Sequence, residues 1–247
     1  MSQNYQLLIE YDGTKYVGWQ SQKNGLSIQQ SVEKAIKKII KKKISLIGSG
    51  RTDAGVHAIE QSANFKTEYK IKNKSNFIKS LNYFLSKDSI SILDIKKKSK
   101  IFHSRFSALH RSYKYQIINR QAPSVLKKNR AWHIRNKLDI GLMKKGAKIL
   151  INIKDFSTFR ASSCSAKSPI KKLDKIKIVK KNDTIEILFE SKSFLQTQVR
   201  SMVGCLKYLS EKKWSLKKFK EVAISKKRVN CAPPAPAHGL FLAKIKY

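Results

Sequence analysis

The sequence predicts an α+β protein made of two halves, each with an antiparallel sheet and helices packed on it. In the first half, short runs of alternating apolar residues and longer runs at helical spacing follow each other as β-α-β-β-α-β. That element order is the ferredoxin-like one. A looser version of the order recurs in the second half, without repetition of residue identities. We therefore expect two ferredoxin-like (RRM-like) halves, residues 1–105 and residues 106–247.

The elements of the first half are bounded by turn and capping residues. Asp12-Gly13 closes the first strand as a turn, and Ser27 with Gln30 forms a capping box before the first helix. Trp19 is predicted to be a core residue, since tryptophan is mostly buried. The predicted strands are 5–11, 44–48, 61–67 and 89–95, and the predicted helices are one after Ser27 and one over 75–86.

The second half is predicted from similar signals. A helix over 195–210 carries an apolar face of Val199, Met202, Val203 and Leu206. Ser215 caps a further helix that ends near Ser225. The remaining predicted elements are a strand over 111–118, a helix over 138–150, a hairpin of 172–180 and 184–190, a proline-rich loop over 232–239, and a last strand with Phe241, Ala243, Ile245 and Tyr247 on one face.

Charge is the strongest feature of the composition. Lysine and arginine number 53 against 16 acidic residues, which gives a net charge of +37. A surface this basic attracts polyanions, of which nucleic acid is the usual one. Codon bias in an AT-rich genome also produces lysine, but it does not account for the scarcity of acidic residues. Only nine residues are arginine, so those that fall in motifs are informative.

Composition also excludes several classes of protein. Hydrophobic residues make up 41%, too many for a disordered chain, and no apolar run approaches the roughly 20 residues of a membrane span. The N-terminal segment lacks the pattern of a secretion signal. The three cysteines form no CxxC and the five histidines are dispersed, which argues against a disulfide framework or a metal site. We expect a cytoplasmic protein without a metal.

The most distinctive stretch is GSGRTDAGVHA, residues 48–58, which we call the central loop. Gly48 and Gly50 are expected to allow a tight backbone path with positive φ. Asp53 is a lone carboxylate in a very basic chain, and the small residues after it leave room for a planar ligand. Taken alone, residues 52–55 are equally consistent with an ordinary surface turn, because Asp and Gly favour turns.

The longer string favours a functional loop. Residues 50–58, GRTDAGVHA, resemble without a gap the motif GRTDxGVHA of the TruA family of tRNA pseudouridine synthases, and the family's catalytic aspartate falls on Asp53. Ser104 departs from a common Ala of the family, and Gln196 and Thr197 replace bulkier residues. The other segments that resemble family motifs, in order, are EYDGTKYVGWQ (10–20), SIQQSVEKAI (27–36), FHSRFSALHRSYKYQI (102–117), SFLQTQVRSMVG (193–204) and APAHGLFLAKIKY (235–247).

This resemblance implies a fold, a reaction and partners. The pseudouridine synthase fold joins its two ferredoxin-like halves about a central cleft. The implied reaction is isomerisation of uridine to pseudouridine at positions 38, 39 and 40 of the tRNA anticodon stem-loop, with flipping of the base and no cofactor. The implied partners are tRNA and a second copy of the chain in a homodimer, with no membrane.

The residues expected to be catalytic are Asp53, Tyr113 and Arg200. Burial raises the pKa of an unpaired aspartate and a neighbouring arginine counters the rise; Arg200 resembles the family arginine that has this role. Tyr113 aligns with the family's active-site tyrosine, which offers a ring to stack on the base and a hydroxyl to move a proton. From the residues alone, Tyr113 is equally consistent with a core strand. The less favoured alternative for Arg200 is a solvated helix face.

Arginines in the same motifs are expected to bind RNA together with the ring of Tyr113. Arg51 resembles the family arginine that supports nucleotide flipping, which costs a few kcal/mol. Arg111 shares one side of its predicted strand with Tyr113, because alternate residues of a strand face the same way. Arg105 lies in the segment just before that strand.

Two other functions fit parts of the sequence. A non-catalytic RNA-binding protein with two RRM-like halves would explain the charge and the aromatic residues, but it leaves Asp53 without a purpose, and an RNP1-like string is missing. A metal-dependent nuclease needs a cluster of carboxylates, and only Glu60 lies near Asp53 in the sequence. For a synthase, the residues leave open whether Asp53 attacks carbon covalently or removes a sugar proton.

Overall fold

The computed structural model describes residues 2–247, which form two compact units. The first unit contains the residues up to Leu109 together with Leu242–Tyr247, and the second contains His110–Phe241. Both units combine helices with antiparallel strand pairs, as expected of an α+β chain. Within residues 2–247, no helix is both long enough and apolar enough to cross a membrane.

The first unit is built around its first strand. Its elements are β1 (Gln3–Tyr11), α1 (Ile28–Ile40), β2 (Ile47–Gly48), β3 (His57–Thr67), α2 (Lys74–Leu85) and β4 (Ile90–Lys98). Strand β1 pairs antiparallel with β3 on one side and β4 on the other, so that Leu7 lies opposite Ala63 and Ile95. All three side chains are buried, and this row forms the centre of the unit's core. Strand β2 pairs with β3 and is shorter than predicted.

Capping side chains start both helices of this unit. The Ser27 hydroxyl accepts a hydrogen bond from the Gln30 backbone N–H at 3.2 Å, which confirms the predicted start of α1. The Asn73 side chain caps α2 in the same way, at 2.9 Å. These bonds satisfy N–H groups that have no partner inside the helix. The core assignment of Trp19 is also confirmed, since it is 1% exposed.

The second unit contains a four-stranded arrangement and three helices. Its elements are β5 (His110–Asn119), β6 (Trp132–Ile134), α3 (Ile140–Asn152), β7 (Leu173–Lys181), β8 (Thr184–Ser191), α4 (Gln198–Ser210) and α5 (Leu216–Ile224). Strand β8 lies between β5 and β7 and is antiparallel to both. Asn182 turns the predicted hairpin with a φ of 55°. The short strand β6, which pairs parallel to β5, was not predicted, because three residues carry too little periodicity to detect.

Helix α4 is the most buried helix of this unit. Val199, Met202, Val203 and Leu206 are all buried, which confirms the predicted apolar face. Gly146 of α3 lies so close to α4 that a Cβ on it would be 2.7 Å from a Leu209 methyl carbon. The helix begins at Gln198 rather than at residue 195, because Thr197 takes a left-handed conformation with a φ of 65°.

The last strand, β9 (Leu240–Lys246), begins in the second unit and ends in the first, where it lies beside β3. Of the residues predicted to share one face, Ile245 is buried and Phe241 and Ala243 are partly exposed. Leu240 and Leu242 are buried on one side and Ile245 on the other, whereas Tyr247 is 37% exposed. The buried face therefore changes along the strand, whose two ends belong to different compact units.

Candidate active site

The central loop is folded by its own backbone bonds. It leaves β2, and the Ser49 N–H donates to the Ser62 carbonyl of β3 at 2.8 Å. The Val56 N–H then donates to the Asp53 carbonyl at 3.1 Å, and Gly55 has a φ of 74°. Asp53 is therefore the first residue of a tight turn that leads directly into β3.

A second segment, residues 11–19, holds the central loop from the other side. The Trp19 N–H donates to the Thr52 carbonyl at 3.1 Å, and the Tyr11 hydroxyl bonds the Thr52 hydroxyl at 2.8 Å. The Gly13 N–H donates to Nδ1 of His57 at 3.0 Å. These three bonds fix the backbone on both sides of Asp53.

The glycines of the central loop serve a purpose different from the predicted one. Neither Gly48 nor Gly50 has positive φ; among the described glycines, only Gly18, Gly25 and Gly55 do. Gly48 is needed because a Cβ there would lie 2.4 Å from Nε1 of Trp19. At Gly18, a Cβ would lie 2.5 Å from the Thr52 carbonyl oxygen. Close packing of the two segments, rather than backbone conformation, excludes a side chain at Gly48.

Exposure alternates along the centre of the loop. Thr52 is 7% exposed, whereas Asp53 is partly exposed and Arg51 is exposed. The buried Thr52 anchors the chain, and the guanidinium and the carboxylate on either side of it reach the surface. An arginine and an aspartate are thus presented from one fixed backbone segment.

Gln61 on β3 supports the central loop and was not predicted from the sequence. It is completely buried, and its Nε2 donates to the Gly50 carbonyl at 2.8 Å. Its Oε1 accepts from the Ser49 hydroxyl at 2.8 Å and from the Ser62 N–H at 3.1 Å. The amide therefore fixes the peptide that precedes Arg51. The signal available in the sequence was the polar pair Gln61-Ser62 inside an apolar strand.

Replacing Gln61 by methionine is expected to destabilise the protein by about 1–3 kcal/mol. The substitution keeps the volume of the side chain but removes the amide that bonds the buried Ser49 hydroxyl and the Gly50 carbonyl. Gln116→Met is the control, because the amide of Gln116 bonds Glu186 at a partly exposed position. The control should change stability by less than about 0.5 kcal/mol. Equal urea-unfolding midpoints for the two variants would contradict the anchoring role.

Arg105 lies on an anchored segment of the first unit. The Ser104 N–H donates to Oδ1 of Asn64 at 2.8 Å, and the Ser104 carbonyl accepts from the Tyr247 hydroxyl at 3.0 Å. Arg105 itself is exposed, with its guanidinium 5.5 Å from the ring centre of Phe106. Within the described residues the Ser104 hydroxyl has no hydrogen-bond partner, so the departure from alanine leaves a buried polar atom unsatisfied.

Strand β5 of the second unit carries Arg111, Tyr113 and Tyr115 on one side. Arg111 is 8% exposed and donates to the Lys192 carbonyl. Tyr113 is also 8% exposed, and Phe194 meets its ring edge-on, at 5.1 Å between centres and 86° between planes. The ring of Tyr113 is therefore held in one orientation by its own unit.

Tyr115 has a different role from Tyr113. It is completely buried, and its hydroxyl donates to the Pro236 carbonyl at 2.8 Å. Burial raises the pKa of Tyr115 far above the ordinary value, so the hydroxyl stays protonated. Gly239 leaves room for the ring, since a Cβ there would lie 2.6 Å from it. Tyr115 thus ties β5 to the proline-rich loop.

Arg200 lies in the first turn of α4 and is oriented by that same loop. Its Nε donates to the Ala235 carbonyl at 2.8 Å, and the Ala235 N–H donates back to the Arg200 carbonyl at 3.0 Å. One turn later, the Pro233 carbonyl oxygen lies so close to Gly204 that a Cβ on this residue would be only 2.1 Å from it. The side chain of Arg200 is partly exposed.

The predicted residues are thus divided between the units. Arg51, Asp53 and Arg105 belong to the first unit, and Arg111, Tyr113 and Arg200 belong to the second. Within residues 2–247, no three His, Cys, Asp or Glu residues are grouped so that they could hold a metal ion.

Comparison with known proteins identifies the family to which the chain belongs. A family model described as tRNA pseudouridine synthase matches residues 7–107 and 147–247, which together exceed half of the chain. The chain belongs to the tRNA pseudouridine synthase family. The first matched segment contains the whole central loop and Arg105, and the second contains Arg200. Arg111 and Tyr113 lie between the two matched segments.

Individual members of the family are similar over nearly their whole length. The tRNA pseudouridine synthase A of Pelagibacter ubique is 60% identical over 243 residues, covering 98% of this chain and 99% of the relative. That of Paramagnetospirillum magneticum is 42% identical over 245 residues, covering 98% and 94%. That of Parvibaculum lavamentivorans is 40% identical over 243 residues, covering 98% of each. Because each of these relatives matches 98% of this chain, the matched region includes β5 and Tyr113.

Proposed function

We propose that this protein isomerises uridine to pseudouridine in tRNA. The observation that carries the proposal is the central loop, whose backbone is fixed on both sides of Asp53 while Arg51 and Asp53 reach the surface. Membership of the tRNA pseudouridine synthase family and the names of full-length relatives supply the reaction. The net charge of +37 suits a polyanionic substrate.

The reaction needs a positioned carboxylate. The C1′–N1 bond of uridine breaks, the uracil turns, and C5 joins C1′, so the product has the same atoms as the substrate. Asp53 either attacks carbon covalently or removes a proton from the sugar. In both cases its carboxylate must be ionised, and an arginine beside it favours that state. We assign the role of this arginine to Arg200, whose side chain is oriented by the hydrogen bond from its Nε to the Ala235 carbonyl.

The remaining residues take the roles expected from the family. Tyr113, held edge-on by Phe194, stacks on the flipped uracil and moves a proton near it. Arg51, exposed on the central loop, supports extraction of the nucleotide, which costs a few kcal/mol. Arg111 and Arg105 contact the RNA, for which the exposure of Arg105 is suitable.

The finer architecture is part of the same proposal. We propose residues 1–105 as a ferredoxin-like half that carries the aspartate loop, and residues 106–247 as a second one that carries the tyrosine strand and the arginine helix. The C-terminal segment Leu242–Tyr247, which includes the end of the last strand, nevertheless belongs to the first compact unit. The two halves bind the tRNA anticodon stem-loop in a cleft, where positions 38, 39 and 40 are modified. The β4-β1-β3 order of the first unit supports the first of these assignments. The protein acts in the cytoplasm, which suits its three free thiols.

We further propose that a homodimer is the working unit. Sedimentation of the pure protein at micromolar concentration should give a mass of about twice 28.3 kDa. A fully active protein that sediments as a monomer at that concentration would contradict this prediction.

Binding of tRNA is expected to depend strongly on salt. Lysine and arginine release counterions when they neutralise phosphates, so affinity falls as salt rises. With a net charge of +37, we expect at least about a tenfold loss of affinity between roughly 50 mM and 200 mM salt. Filter binding or fluorescence anisotropy measures it, and an affinity that is flat over this range would argue against phosphate-dominated binding.

Incubation of the pure protein with unmodified tRNA, without additives, tests the function directly. A mass-mapped digest of the RNA after derivatisation of pseudouridine identifies the modified positions. Pseudouridine at positions 38 to 40 supports the proposal. Bound but unchanged RNA would instead support the non-catalytic RNA-binding alternative, and modification elsewhere would correct the site specificity.

A further inference from the structure

Two of the three cysteines form a pair in the second unit. Cys205 lies on α4, and Cys231 lies at the start of the proline-rich segment that follows α5. Their sulfur atoms are 3.4 Å apart, so that one thiol hydrogen-bonds the other sulfur. Both are free thiols, as is Cys164. No role in the proposed reaction uses this pair.

The two thiols differ in accessibility and charge environment. Cys205 is 1% exposed, whereas Cys231 is partly exposed. The hydrogen bond with Cys205 lowers the pKa of Cys231, and the nearby guanidinium of Arg228 lowers it further. The same hydrogen bond, together with burial, raises the pKa of Cys205. Reactive cysteines occur in partly exposed, electropositive surroundings of this kind.

Neighbouring contacts hold the segment of Cys231 against α4. Arg228 donates to the Ser201 hydroxyl at 2.8 Å, and Gly204 lets the Pro233 carbonyl approach the helix. Contacts therefore lie on both sides of the pair, and the sulfur atoms stay close to each other. A disulfide needs about 2.05 Å between its sulfur atoms, so the two sulfur atoms must approach each other by about 1.3 Å from the present 3.4 Å.

We propose that Cys231 and Cys205 form a site that hydroperoxides oxidise to an intramolecular disulfide. The Cys231 thiolate attacks the peroxide: an S–O bond forms, the O–O bond breaks, and hydroxide leaves. The sulfur loses two electrons and becomes a sulfenic acid while the peroxide is reduced. The Cys205 sulfur then attacks the Cys231 sulfur; an S–S bond forms, the S–O bond breaks, and the departing hydroxide takes the Cys205 proton as water.

Oxidation of the native protein tests the proposal. The protein is treated with hydrogen peroxide at near-stoichiometric concentration, alkylated with N-ethylmaleimide under denaturing conditions, and examined by mass spectrometry. The oxidised protein should carry one N-ethylmaleimide adduct instead of three, and the polypeptide itself should be about 2 Da lighter because two hydrogen atoms are lost. A non-reduced digest should contain a peptide in which Cys205 is joined to Cys231. The buried Cys164 is the internal control and should remain alkylated, with oxidation at least about tenfold slower.

Two variants separate the steps. In Cys205→Ser the sulfenic acid has no partner, so dimedone should label Cys231 after peroxide treatment. In Cys231→Ser the buried Cys205 should resist both peroxide and dimedone. The proposal is overturned if the wild-type protein keeps three alkylatable thiols, or if dimedone labels Cys164 or Cys205 first. If the untreated wild-type protein does not modify tRNA, the proposed function is contradicted, but the outcome of this oxidation experiment is not affected.

Discussion

Asp53→Asn is expected to abolish turnover while leaving the fold and tRNA binding intact. The amide keeps the size of the side chain but carries no negative charge, so it serves neither as a nucleophile nor as a base. Loss of an acid or base alone costs roughly 10²–10⁴-fold in rate. Because the backbone around Asp53 is held by Thr52, Trp19 and His57 rather than by the carboxylate alone, the loop should keep its shape.

Glu60→Gln is the matched control for this change. Glu60 is the other carboxylate close to Asp53 in sequence and is partly exposed on β3. Its amide variant should keep turnover within about twofold of wild type, as expected of a surface position. Single-turnover pseudouridine formation and anisotropy binding should be measured for both variants. Wild-type turnover in Asp53→Asn would refute the catalytic assignment, and a Glu60→Gln variant as impaired as Asp53→Asn would point instead to a pair of carboxylates.

Tyr113 is expected to separate binding from chemistry when it is replaced by phenylalanine or by leucine. Phenylalanine keeps the ring and should bind tRNA nearly normally, but it removes the hydroxyl and should lower turnover by roughly 10²–10⁴-fold. Leucine removes the ring, and stacking is worth about 1–3 kcal/mol per base. Tyr113→Leu should therefore weaken tRNA binding by one to two orders of magnitude.

Tyr115→Phe controls for the packing role of an aromatic on the same strand. Its hydroxyl donates to the Pro236 carbonyl, so this variant should lose about 1 kcal/mol of stability with turnover changed only a few-fold. Since Tyr113 packs edge-on against Phe194, unfolding of Tyr113→Leu must be measured beside its binding. A Tyr113→Phe variant as fast as wild type would remove the proton-transfer role, and normal binding by a folded Tyr113→Leu would remove stacking.

Local patterns were a reliable guide wherever one short segment controls the outcome. The cap at Ser27, the turn at Asn182 and the apolar face of α4 follow from neighbouring residues alone, and each is confirmed. The motif around Asp53 was equally visible, because it is continuous in sequence. Its family is confirmed by the comparisons, whereas the roles of Asp53, Tyr113 and Arg200 stay predictions.

Long-range contacts were beyond the reach of these patterns. Gly48 was assigned to a positive-φ turn, but what requires a glycine is Trp19, which lies far away in sequence and contacts it. The anchoring role of Gln61 could not be predicted, because its partners Ser49 and Gly50 become its neighbours only when β2 pairs with β3. The hydrogen bond between the thiols of Cys205 and Cys231, which are 26 positions apart, could not be predicted for the same reason.

The sequence by itself determined most of the helices and strands, the strongly basic composition and the continuous motif that carries Asp53. Each of these depends on residue type and on spacing within one segment. Only the tertiary structure decided how that motif is held, which glycines are needed for close approach, and which distant polar or thiol groups meet. These features depend on distances between segments far apart in the chain, and such distances are set by strand pairing and helix packing rather than by any local pattern.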